Sequence, residues 1–105
     1  MTPTEVEIKR FWEYCELHYT IPYWVDDNGS LAFYGEVDSE LLKSINLNNL
    51  FEYAVEPKLD GYMMFTGEGG IHFIASKNGL NYEAIAEKEE DAIWQACNKA
   101  FGLEE

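Results

Sequence analysis

Two glycine turns, Gly67-Glu68-Gly69-Gly70 and Asn78-Gly79, stand one strand's length apart in the second half of the chain. Asn-Gly supplies the positive φ angles of a tight hairpin, and strands joined by such turns pair antiparallel. The spacing predicts a meander with strands at 62–65, 71–75 and 82–86. Under strand alternation Ile71, Phe73, Ala75, Tyr82, Ala84 and Ala86 share one face, and His72, Ile74, Glu83 and Ile85 share a mixed one. Tyr62-Met63-Met64-Phe65 is an unbroken apolar run, the pattern of a strand covered on both faces.

Helical spacing flanks this meander. Leu47, Leu50, Phe51, Ala54 and Val55 form an apolar stripe, with Asn46 as a cap and Pro57 ending the helix near Glu56 or kinking a last turn that keeps Leu59 inward. A final helix from 89 to 101 carries Glu89, Glu90 and Asp91 in its first turn and small residues along its inner face, and Gly102 stops it. At the start, Thr2 caps a helix with Pro3 in its first position and Glu5 closing a capping box. Ile8, Phe11, Trp12, Cys15 and Tyr19 define its apolar face, and Pro22 ends it. Tyr23-Trp24-Val25 and residues 31–34 form a hairpin around Asp26-Asp27-Asn28-Gly29, and Asp38 or Ser39 caps a short turn through Leu41 and Leu42. The expected fold is α+β, an antiparallel sheet (meander plus N-terminal hairpin) layered with three main helices, in one domain spanning 1–105.

The segment 47–59, reading Leu-Asn-Asn-Leu-Phe-Glu-Tyr-Ala-Val-Glu-Pro-Lys-Leu, precedes the meander and an Ala-rich helix ending Lys99-Ala100-Phe101-Gly102. This order resembles small bacteriophage proteins of the phage ABA sandwich type, over roughly residues 47–102. In that family the valine and proline adjoin, whereas here Glu56 stands between them. The resemblance implies a sheet layered with helices and a phage or prophage origin, and it brings no catalytic residues.

Charge bears most directly on function. Twenty Asp and Glu oppose seven Lys and Arg, a formal net of −13 over 105 residues. Such a chain repels nucleic acid and anionic lipid directly, and its natural partner is a basic protein surface or a cation. Asp26, Asp27, Glu36, Asp38, Glu40, Glu52, Glu56 and Asp60 are the densest acidic run, against only Lys43 and Lys58. Carboxylates so spaced can stand in for phosphates, so the sharpest version is a DNA-mimic or anti-CRISPR-like inhibitor of a nucleic-acid-handling host enzyme. Glu87, Glu89, Glu90 and Asp91 form a second patch, and Tyr14 and Trp24 are expected interface anchors. The rival use of the same aromatics is to fill a small core.

Enzymatic signatures are weak. His18 and His72 lack a second ligand at metal-binding spacing, and Asp26-Asp27-Asn28-Gly29-Ser30 misses the glycine and glutamate of a calcium loop. Gly67-Glu68-Gly69-Gly70 lacks the lysine of a phosphate loop. No catalytic, cofactor or metal residue is expected. The alternative is a ligand-binding or enzymatic pocket around His72, Tyr62 and Glu83, and a third reading is an accessory homodimer. Cys15 and Cys97 are expected as free core thiols, and the absence of an apolar span of about 18 residues or of a signal peptide leads to a cytoplasmic expectation.

Overall fold

The computed structural model describes residues 3–20, 23–34 and 42–103. The fold is α+β, and the elements described in full are three helices and two three-stranded antiparallel sheets. Its internal contacts gather into two compact units, Met1–Asn46 and Leu47–Glu105.

The first unit opens with α1, Glu5–Tyr14. Its cap is Thr4, two residues later than the expected Thr2. The Thr4 hydroxyl accepts from the Glu7 amide at 3.2 Å, and the Thr4 amide donates to the Glu7 carboxylate at 2.9 Å. This is the reciprocal capping box, with Glu7 in the role expected of Glu5. That amide bond, followed by hydrogen bonding of the Thr4 hydroxyl to the carboxylate itself, holds the Glu7 carboxyl below its ordinary range.

The helix also stops earlier than expected, at Tyr14 and not before Pro22. Glu16 adopts φ 67°, its amide donates to the Glu13 carbonyl, and the Leu17 amide reaches back to Trp12. That pair of bonds is a Schellman stop, usually built on glycine. The freed residues form a strand, β1 (His18–Thr20), so the expected hairpin is a three-stranded sheet with β2 (Tyr23–Val25) and β3 (Leu31–Tyr34). Tyr19 pairs with Trp24 in this sheet and is not a helical residue. Aromatics fill the unit's interior. The Trp12 ring lies 5.0 Å from both Phe11 and Phe33, and Trp24 lies 5.1 Å from Tyr19. The Trp12 indole donates to Ser44 Oγ at 2.9 Å.

The second unit begins with α2, a continuous helical stretch of three parts. Leu47–Leu50 is α-helical, Phe51–Val55 is a π-helical turn, and Glu56–Lys58 closes in α form. The Glu56 amide reaches back five residues to the Phe51 carbonyl. Pro57 brings no amide to the ladder, so the widened turn forms where a regular α-helical bond is already lost. Leu59 stays buried after this kinked last turn.

β4 (Gly61–Gly67), β5 (Gly70–Lys77) and β6 (Leu80–Ala86) form the expected meander, with β5 central. α3 (Glu89–Ala100) lies against β5 and β6, and Gly102 at φ 72° ends it. Phe73, Ala75 and Ala84 from the sheet and Ala92, Ile93, Ala96 and Cys97 from the helix are buried. The small residues on α3 let its backbone approach the sheet closely. β4 departs from expectation. It is an edge strand, and Tyr62, Met63 and Phe65 are 52, 58 and 42% exposed, so the apolar run is not covered on both faces.

Candidate functional site

The ten residues expected to meet a partner have different fates. Trp24 is fully buried, at 0% exposure, so it is a core residue of the first unit and offers no anchor to a partner. Tyr14 is half-buried at the end of α1. The Asp26 carboxylate accepts from the amides of Asn28 and Ser30, each at 2.9 Å, and so organises the β2–β3 turn. Asp27 is exposed and meets His18 Nε2 at 2.6 Å. Glu36, Asp38 and Glu40, with the turn expected at Asp38 or Ser39, lie outside the described residues.

Glu52, Glu56 and Asp60 are exposed in the second unit. Glu52 and Glu56 stand one turn apart on α2, and Asp60 follows just before β4. Asp60 is also structural, because its Oδ2 accepts from the Asn78 amide at 2.8 Å across the β5–β6 turn. The second patch follows β6. Glu87 is exposed and Glu89, Glu90 and Asp91 occupy the first turn of α3, where the helix dipole favours them.

The described cations bond both acids and backbone. Lys9 pairs with Glu5 at 2.8 Å. Lys77 instead donates to the Lys58 carbonyl at 3.3 Å, and Lys99 to the Glu83 carbonyl at 2.9 Å. Two of the seven positive side chains thus bond neutral backbone, and the formal net stays at −13.

The pocket expected around His72, Tyr62 and Glu83 is divided by the strand register. His72 pairs with Phe65 and Ile85, and Ile74 pairs with Met63 and Glu83, so all six share the outer face. Tyr62 pairs with Ala75 and lies on the opposite face, stacked 5.5 Å from Phe73. His72 is held by three neighbours. Its Nε2 donates to the Glu68 carbonyl at 2.7 Å, its Nδ1 faces Glu83 at 3.4 Å, and its ring stacks on Phe65 at 4.8 Å. A carbonyl only accepts, so Nε2 carries the proton. The ring's neighbours explain it as a clasp between the β4–β5 turn and the sheet's outer face.

Sequence reasoning missed the character of β4. The signal was present: no charge occurs from 61 to 67, while Asp60 and Glu68 stand immediately outside. Among the described residues no group of three His, Cys, Asp or Glu is placed to hold a metal ion, and no helix is long and apolar enough to cross a membrane. Searches against protein-family models, curated proteins and solved structures gave no match.

Proposed function

We propose that this chain is a non-enzymatic binding protein that docks through its carboxylates on a basic protein surface. The observation that carries this reading is the charge: a formal net of −13, with Asp27, Glu52, Glu56 and Asp60 exposed. Single-sign fields of this size speed association with an opposite surface and hold nucleic acid and other acidic molecules away. The sharper form is inhibition of a nucleic-acid-handling host enzyme, in which exposed acids such as Glu52, Glu56 and Asp60 occupy positions that phosphates would take. A phage or prophage origin belongs to the same reading.

The test is competition. The purified chain is titrated into a cationic host nuclease bound to labelled DNA, at several salt concentrations. The chain should displace the DNA, and its direct affinity for the enzyme, measured without DNA, should fall steeply as salt rises from about 50 to 200 mM. Direct binding that salt leaves unchanged, or no displacement from any cationic enzyme of the host, removes the proposal.

A further inference from the structure

The two edges of the second sheet are treated differently. The Asn78-Gly79 turn has φ 54° and 81°, the two-residue hairpin type that makes Lys77 and Leu80 a hydrogen-bonded pair. Alternation from that pair directs the odd residues of β5 to β6 and the even ones to β4. On the outer strands, Asn81, Glu83 and Ile85 of β6 and Tyr62, Met64 and Thr66 of β4 then turn their main-chain groups away from the sheet. The Lys99 ammonium on the Glu83 carbonyl agrees with this assignment and covers the middle of the β6 edge. β4 has no such guard. Among the described residues its outer side pairs with no strand, and its seven residues include no Lys, no Pro and no charge. Those are the devices that normally protect an edge.

The occupant is indicated by what stands at the ends. Asp60 and Glu68 bracket the neutral strand, eight residues apart, or about 27 Å at the rise of an antiparallel strand. A second copy paired over the full length would turn about Met64 and set Asp60 against Glu68 at both ends, in a chain already at −13. Like charges directly opposite destabilise a strand pair. An extended segment with a basic residue at each end sets one beside Glu68 and one beside Asp60, whose Oδ1 is left after Oδ2 accepts from the Asn78 amide, in either direction.

We infer that the β4 edge captures an extended segment of a partner protein, about seven uncharged β-forming residues with Lys or Arg at both ends, as an added fourth strand. Main-chain bonds to Tyr62, Met64 and Thr66 would hold it, and the exposed Met63 and Phe65 would flank its outer-face side chains. This rests on the acidic-docking reading and names the element of the partner that is read.

The probe is a labelled, end-blocked peptide, Lys-Val-Thr-Val-Thr-Val-Thr-Val-Lys, followed by fluorescence anisotropy, with a counterpart carrying Glu at both ends. The wild-type chain should bind the basic peptide at least tenfold tighter. Thr66→Pro removes one outward amide at an exposed edge position, where proline is tolerated, and should lose at least tenfold with unchanged far-UV circular dichroism. Asp60→Asn with Glu68→Gln should erase the preference between the peptides. If Thr66→Pro disturbs the sheet signal, Met63→Lys is read in its place, with the same loss expected. Peptide binding that survives these substitutions overturns the inference, as does light scattering that shows a dimer broken by Thr66→Pro. Failure to bind the peptide, with salt-sensitive binding to a cationic enzyme intact, sinks the edge and spares the docking reading. Failure of both sinks both.

Discussion

Replacing Gly70 by alanine is a sharp test of the second sheet. Gly70 opens β5 with φ 127°, a conformation that side-chain-bearing residues rarely adopt, at a cost of about 1–3 kcal/mol. The added Cβ would lie 2.5 Å from the Ala86 carbonyl oxygen and 3.1 Å from its carbon. A carbon–oxygen contact needs about 3.3 Å, so most of an ångström must be found between two hydrogen-bonded strands. Both sides of the clash are backbone, and no side chain can rotate to relieve it. Overpacking of this kind costs about 1–3 kcal/mol more, which puts Gly70→Ala at roughly 2–6 kcal/mol. Gly79→Ala is the matched control, because φ is 81° there and nothing lies within 4 Å of the added carbon. Its cost is the left-handed backbone alone, about 1–2 kcal/mol. The unfolded chain loses the same freedom in both variants, so that contribution cancels in the comparison. Urea unfolding followed by far-UV circular dichroism should place Gly70→Ala about 2 kcal/mol below Gly79→Ala, or roughly 8 °C lower in midpoint on heating. Equal stabilities would refute the packing of Gly70 against Ala86 and with it the register at that end of the sheet.

Other substitutions separate further claims. Trp12→Phe loses the buried indole bond to Ser44, whereas Trp24→Phe removes a buried Nε1–H that has no hydrogen-bond partner among the described residues. Both lose similar volume, so Trp24→Phe should be the milder by about 2 kcal/mol in denaturant midpoints, and the reverse order would contradict the assignment. Glu16→Gly relieves a left-handed residue at the Schellman stop and should raise the thermal midpoint, by about 0.5–1 kcal/mol of stability. The Glu7 carboxyl is held low in the folded chain, so its bond to the Thr4 amide contributes fully above the ordinary glutamate range of about 4.3. That contribution fades as pH falls through the lowered folded value. Thermal melts of wild type and Glu7→Gln should therefore differ at pH 7 and converge near pH 2, and a gap unchanged by pH would count against the capping box.

The α+β class and the meander could be read from the sequence because their signals are local. Asn78-Gly79 demands a turn whatever surrounds it, and the small-residue stripe of α3 repeats at helical spacing. The end of α1 was hidden because Glu16 does the work of a glycine, and because Cys15 and Tyr19 happen to continue the helical period. The run Tyr62-Met63-Met64-Phe65 misled for a related reason. An unbroken apolar strand is equally a buried centre or an unguarded edge, and only the pairing order decides. At the candidate site the acids could be counted but their duties could not. Asp26 and Asp60 each tie down a turn, and Trp24 fills a core. Composition records that carboxylates and aromatics are present, while tertiary packing determines which of them remain available.

The π-turn of α2 gives a single residue unusual leverage. Each residue of a helix advances the chain by about 100° around the axis, so the surplus residue housed between Phe51 and Glu56 acts as a rotation more than as an extension. Leu59 turns inward and Asp60 reaches the Asn78 amide from the orientation that this winding sets. A variant with one residue deleted here would point its β4 entry elsewhere, so a single-residue length change in α2 steers the strand that begins after Leu59 and Asp60.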